Sequence, residues 1–151
     1  SKQRLFVMKN DQIVSSYPIS SSKYGEGSKQ NSFKTPLGHH KIKEMIGSNA
    51  KINTIFKSRI KTNKQAKIEQ NPIFTNDDYI TSRIIWLDGQ ESGINKGSGV
   101  DSFSRYIYIH GTHEEGMIGS KASHGCIRMF NNDVIELYDT VKIGTDVYIT
   151  S

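Results

Sequence analysis

The sequence contains one cysteine, Cys126, set in the stretch ASHGCIRM with His124 two residues before it and Arg128 two residues after. A thiol with an ordinary pKa of about 8.5 is only slightly ionised at neutral pH, so nucleophilic use requires a partner that takes its proton. Histidine is the usual partner. His110 stands sixteen residues upstream, at the end of the strand-like run RYIYI. In an extended segment the residue at i−2 points the same way as the nucleophile and aligns poorly with it, whereas a strand end fixes an imidazole rigidly. His110 is therefore favoured over His124 as the base. Gly125 and Cys126 carry little bulk, which lets backbone N–H groups approach a carbonyl oxygen and stabilise charge developing there. That combination suggests acyl transfer. Arg128 supplies a permanent, bidentate positive charge suited to a substrate carboxylate. A poised thiol of this kind is expected to titrate below its reference value and to respond to loss of His110.

Two other readings compete. A lone free cysteine is often an inert packing residue, but a stretch carrying Ser123, His124, Gly125 and Arg128 is too polar to read as a core strand. His110, His113, His124 and Cys126 could offer three nitrogens and one sulfur to a metal, yet HGTH is not a usual zinc spacing. The expectation is no metal and no cofactor.

The elements that would hold these residues are mostly strands. RLFVMKNDQIVSSYPIS reads as a hairpin turning at Asn10-Asp11. SSSKYGEGSKQNSFKTPLG has the composition of a long exposed loop, a place where function concentrates. HHKIKEMIG and KINTIFKSRI read as strands. Lys61 to Tyr79 is polar and turn-rich, an excursion that reads equally as a lid, a substrate-side loop or a surface insertion. YITSRIIWLDG and SRYIYIHG are dense in β-branched and aromatic residues, as buried strands are, with Trp86 in the core rather than on a ligand platform. After the cysteine, NNDVIELYDTVKIG places Val134, Ile135, Tyr138 and Val141 at helical spacing. Asn131 or Asn132 would serve as N-cap and Gly144 as the stop. TDVYIT closes the chain as a strand. The sum is one mostly β domain over residues 1–151, with one clear helix after the cysteine loop.

Composition narrows the partners. The 151 residues carry 20 Lys+Arg against 15 Asp+Glu, a net charge of +5. That balance favours acidic surfaces such as nucleic acid, anionic lipid or wall polymers. The basic residues are scattered and no nucleic-acid motif accompanies them, so no nucleic-acid partner is expected. No apolar run approaches the roughly 20 residues a membrane helix needs. A single cysteine cannot form an internal disulfide, so the fold rests on its core in either redox compartment. SKQRLFVMKN contains no apolar leader. Periplasm or cell envelope is expected if an export signal has been removed, and cytoplasm if the chain is essentially complete.

YIHGT followed by SHGCIRM resembles the signature of the YkuD-type L,D-transpeptidase catalytic domain, and KTPLGHHKI resembles that family's Thr-Pro-x-Gly segment. The resemblance implies a β-sandwich-type fold and a cysteine acyltransferase working on peptidoglycan stem peptides or soluble muropeptides. It makes Cys126 the nucleophile and His110 its proton acceptor and donor, with Gly111 orienting His110 through its carbonyl. Ser123, His124 and Gly125 would shape the cysteine loop, and the N–H groups of Gly125 and Cys126 would face the oxyanion. Arg128 would steady the loop or hold substrate. The implied reaction attacks the bond between the third residue of a tetrapeptide stem and its terminal D-alanine. Passing the acyl group to an amine gives a 3-3 crosslink, and passing it to water makes an L,D-carboxypeptidase. A non-catalytic peptidoglycan-binding domain is the third reading, one that has no use for a poised nucleophile.

Overall fold

Along Ile107-Tyr108-Ile109-His110 the apolar residues fall at every second position, and in an extended strand that sends the isoleucines to one face and the tyrosine and histidine to the other. The computed structural model, which describes residues 2–151, builds the molecule around this division. Among the described residues nine strands are present: β1 (Arg4–Lys9), β2 (Gln12–Pro18), β3 (Gly38–Ile46), β4 (Thr54–Lys57), β5 (Ile60–Gln65), β6 (Ile80–Gly89), β7 (Tyr108–Thr112), β8 (Ile127–Met129) and β9 (Asp146–Ile149). One α-helix, α1 (Asn131–Thr140), and a 3-10 turn at Glu115–Met117 complete the regular structure. The chain is mostly β with one helix after the cysteine, as its sequence suggests.

Strands β1 and β2 form a separate hairpin whose turn residues, Asn10 and Asp11, are both left-handed, with φ of 52° and 60°. The other seven strands form one sheet. Ten-residue β6 is its spine: Ile80 and Thr81 pair with β4, Ile84 to Gly89 pair with β3, and β7 runs along the opposite edge. Beyond β7 lies β8, in the sheet's parallel pairing, which sets Ile109 beside Ile127 and His110 beside Arg128.

On one face Ile85, Leu87, Ile107, Ile109, Ile127 and Met129 pack beneath α1 and the β1–β2 hairpin, joined by Val134, Leu137, Tyr17 and Ile19. The other face carries a smaller apolar cluster of Ala50, Phe56, Ile84, Trp86 and Tyr108, with Cys126 packed against it. Because β7 and β8 run in the same direction and in register, Tyr108, His110, Cys126 and Arg128 share this second face.

Four local expectations are corrected. The stretch around the cysteine does enter the core: Ile127, Arg128 and Met129 form a wholly buried strand, the arginine tolerated because its charge is paired. Helix α1 is not capped by Asn131 or Asn132. Its N-cap is Phe130, without a side-chain cap bond, and the carboxylate of Glu115 accepts from the Asn131 N–H at 2.8 Å instead. The helix stops at Thr140, with Val141 as C-cap, before Gly144 is reached, and Leu137 is among its buried residues. The polar excursion begins as strand β5, so only its later part, 66–79, is irregular. Among the described residues no helix is long and apolar enough to cross a membrane.

Candidate active site

Cys126 sits at the mouth of β8, half-buried, and its sulfur is held by the chain beside it. The Tyr108 N–H donates to Sγ at 3.4 Å, and the thiol donates to the Tyr106 carbonyl at 3.3 Å. Burial pushes the thiol up from about 9 to about 11. The Tyr108 N–H, Arg128 and Arg105 oppose that rise, and the Asp78 charge adds to it. The expectation of a lowered thiol pKa is thus overturned. The basic groups that lower it are outweighed by desolvation, which favours the neutral form.

His110 is buried on the adjoining strand. Its Nδ1 lies 2.5 Å from the Gly111 carbonyl. A carbonyl only accepts, so Nδ1 carries the proton and Nε2 presents the lone pair. Burial depresses its pKa to about 4, the Gly111 carbonyl and Asp78 opposing and Arg128 assisting. At neutral pH the resting pair is therefore a neutral thiol and a neutral imidazole. Among the described residues no hydrogen bond joins the sulfur to His110 or to His124.

Arg128 is buried and paired with two acids. It donates to Glu114 at 3.0 Å and to Asp78 at 2.5 Å. A substrate carboxylate would have to displace one of them. Asp78, half-exposed on the 66–79 segment, also lies 3.1 Å from His124 Nδ1. Burial opposes its charge, but Arg128, His110 and His124 together hold its carboxyl below the usual range. His124 consequently faces Asp78 and the rings of Tyr24 and Phe33. Glu114 is buried, with one oxygen on Arg128 and the other accepting from the Thr75 N–H. Neither carboxylate is recognisable from the sequence, because each gains its meaning from a residue 50 or 14 positions away.

The cysteine loop is braced from within and from upstream. The Ser123 hydroxyl donates to the Cys126 carbonyl at 2.5 Å and accepts from the Gly125 N–H at 3.2 Å. Of the two N–H groups expected to face an oxyanion, that of Gly125 is thus engaged, while the Cys126 N–H has no hydrogen bond among the described residues. Gly125 has φ of 124°, a conformation that favours glycine. Thr35, in the KTPLG segment, accepts from the Ser22 N–H and donates to the Gly125 carbonyl at 3.0 Å. That contact gives the upstream motif a physical role in the site.

Gly111 is needed for space as well as for its carbonyl. A Cβ there would lie 2.5 Å from Asn131 Oδ1 and 2.6 Å from the Thr81 carbonyl. The four residues of the metal reading do not converge: His113 is turned to Thr75 at 2.7 Å and to the edge of Tyr79. Among the described residues no three His, Cys, Asp or Glu side chains are arranged to hold a metal ion.

The sequence model of the YkuD family, described as the L,D-transpeptidase catalytic domain, matches residues 1–149. YqjB of Bacillus subtilis (strain 168), whose name assigns it provisionally to the L,D-transpeptidases, is 50% identical over 46 residues, which cover 30% of this chain and 26% of YqjB. The solved L,D-transpeptidase from Mycobacterium smegmatis shares the fold with a TM-score of 0.55 at 16% identity, over 99% of this chain and 55% of that one. The L,D-transpeptidase LdtMt1, solved in complex with imipenem, has the same TM-score, identity and coverage. The chain thus spans about half the length of the solved proteins whose fold it shares.

Proposed function

The chain belongs to the YkuD family of L,D-transpeptidase catalytic domains, and on that premise we propose that it is a cysteine acyltransferase that forms 3-3 crosslinks between peptidoglycan stems. The observation that carries this reading is the sharing of one sheet face by the Cys126 thiol, one residue before β8, and the buried, Nδ1-protonated His110 on the neighbouring parallel strand β7.

Substrate entry brings the carbonyl of the third stem residue to Sγ. The thiol proton passes to His110 Nε2 as the sulfur–carbon bond forms, so no free thiolate need accumulate in the resting enzyme. The Cys126 N–H faces the oxygen that gains negative charge. The carbon–nitrogen bond to D-alanine then breaks, His110 returns the proton to the departing amine, and a thioester remains. An acceptor stem's side-chain amine gives its proton to Nε2 and attacks the thioester, and the thiol is regenerated. Gly111 orients the imidazole, Ser123 and Thr35 hold the cysteine loop, and Arg128 steadies it through Asp78 and Glu114. This last assignment favours the loop-steadying role for Arg128 over direct substrate binding.

The test is incubation with a defined tetrapeptide, with and without an amine acceptor, read by mass spectrometry. The expected products are a thioester on Cys126, free D-alanine and, with acceptor, a crosslinked peptide. Tripeptide acid as the sole product in the presence of acceptor would establish the carboxypeptidase instead. Absence of any adduct would overturn acyl transfer. Imipenem, bound by an L,D-transpeptidase of the same fold, is expected to add its mass once to Cys126 and not to the Cys126→Ala variant.

A further inference from the structure

Three arginines approach the face that holds the thiol. Arg128 is bound by two carboxylates, and Arg105 donates to the backbone carbonyls of Gly27 at 3.4 Å and Lys34 at 2.7 Å, pinning the upstream loop. Arg59 is differently placed. It sits at the tip of the two-residue turn between β4 and β5, where Ser58 and Arg59 are both left-handed, with φ of 47° and 66°. Its guanidinium carbon lies 5.0 Å from the Trp86 ring centre and 4.9 Å from that of Tyr106, and its Nη1 donates to the Tyr108 hydroxyl at 3.1 Å.

Those two tyrosines are the residues whose backbones hold the cysteine: Tyr108 through its N–H and Tyr106 through its carbonyl. Arg59 is therefore fastened one tyrosine side chain away from the nucleophile. A guanidinium has five N–H donors in a planar fork, and this one has a single hydrogen bond. Among the described residues it forms no ion pair. Glu44 acts on it only at a distance. Aromatic contact fixes the plane of the group without engaging its N–H groups. An arginine held rigid and half-buried at the rim of the site, with its fork open, is built to receive a planar anion.

We propose that Arg59 binds the terminal carboxylate of the acyl-donor peptide and so selects stems that end in a free D-amino acid. This rests on the transpeptidase reading and adds to it. The carboxylate of the departing residue lies one residue beyond the scissile carbonyl, and successive Cα atoms are about 3.8 Å apart. The assignment requires that, with the carbonyl at Sγ, that carboxylate point to the side of the thiol where Tyr106 and Tyr108 hold Arg59. The role first expected of Arg128, a bidentate hold on a substrate carboxylate, passes to Arg59.

Acylation rates of Cys126 would be compared for a tetrapeptide with a free C-terminal acid and the same peptide as its C-terminal amide, in wild-type, Arg59→Lys and Arg59→Gln proteins. Thermal melting would confirm that each is folded, and Gln keeps a donor for Tyr108. Wild-type is expected to prefer the acid by about tenfold or more in kcat/KM, Arg59→Gln to bring that preference toward unity by losing rate on the acid, and Arg59→Lys to fall between. Equal slowing on acid and amide, or a wild-type enzyme indifferent to the terminus, would overturn the assignment and leave acyl transfer standing. Failure of the wild-type to form a thioester with either peptide would overturn the transpeptidase reading itself.

Discussion

In the proposed mechanism, the protonation states of Cys126 and His110 set how acylation begins. With the thiol raised to about 11 and the imidazole lowered to about 4, the resting pair at pH 7 is uncharged, and proton transfer must accompany bond formation. Alkylation of Cys126 by iodoacetamide should therefore be slow at neutral pH and accelerate between pH 9 and 11, and a rate already at its plateau below pH 8 would reveal a standing thiolate. His110→Ala should slow acylation by imipenem about 100-fold or more. His113→Ala, three residues along and bound to Thr75, should weaken the fold and leave most of that rate. Single-turnover mass spectra of the two folded variants measure the contrast, and equal losses would remove His110 from its role.

At the scale of elements, strands β7 and β8 are fixed by what lies behind and beside them. Glu114→Ala would leave the buried Arg128 with only half-exposed Asp78, and breaking a buried pair in this way costs about 3 kcal/mol or more. Urea unfolding should show that loss. Asp78→Ala should cost less and act locally, untying the 66–79 segment from β8, which limited proteolysis would detect as faster cutting there. Gly111→Ala should damage both fold and acylation, because its Cβ has backbone and a buried amide in its way on β6 and α1. Most strands are legible in the sequence, since β-branched and aromatic runs such as RIIW declare them. But KINTIFKSRI, read as one strand, is broken by the left-handed turn at Ser58-Arg59 into β4 and β5, and SRYIYIHG becomes strand only at Tyr108. The start of α1 is not legible, because its capping carboxylate, Glu115, comes from outside the helix, sixteen residues before Asn131. The motif likewise displays Cys126 and His110, while the partners of Arg128 and the burial that raises the thiol exist only once distant segments meet.

Across the whole molecule, one sheet separates the larger core from the face that carries the candidate site, and pH acts on both. His110 is neutral when folded down to about pH 4, but takes a proton near 6.5 when unfolded. Below 6.5 the unfolded chain thus binds more protons, so stability from this residue is complete above pH 6.5 and falls away as pH drops toward 4, by about 3 kcal/mol. Urea denaturation of wild-type and His110→Gln at pH 7 and pH 4 should show their difference changing by that amount, and a constant difference would refute it. The alternation along β7 carries a further meaning for how the chain reaches this state. A slip of one residue between β7 and β8 would turn Cys126 and Arg128 toward the side now filled by Ile127 and Met129, so correct pairing and a correctly housed thiol arise in the same event. Since the chain has only one cysteine, that event has its own clock: brief thiol-labelling pulses at pH 9 during refolding should mark the unfolded chain on the order of 50-fold faster than the folded one. The decay of labelling would time the moment the sheet locks into register.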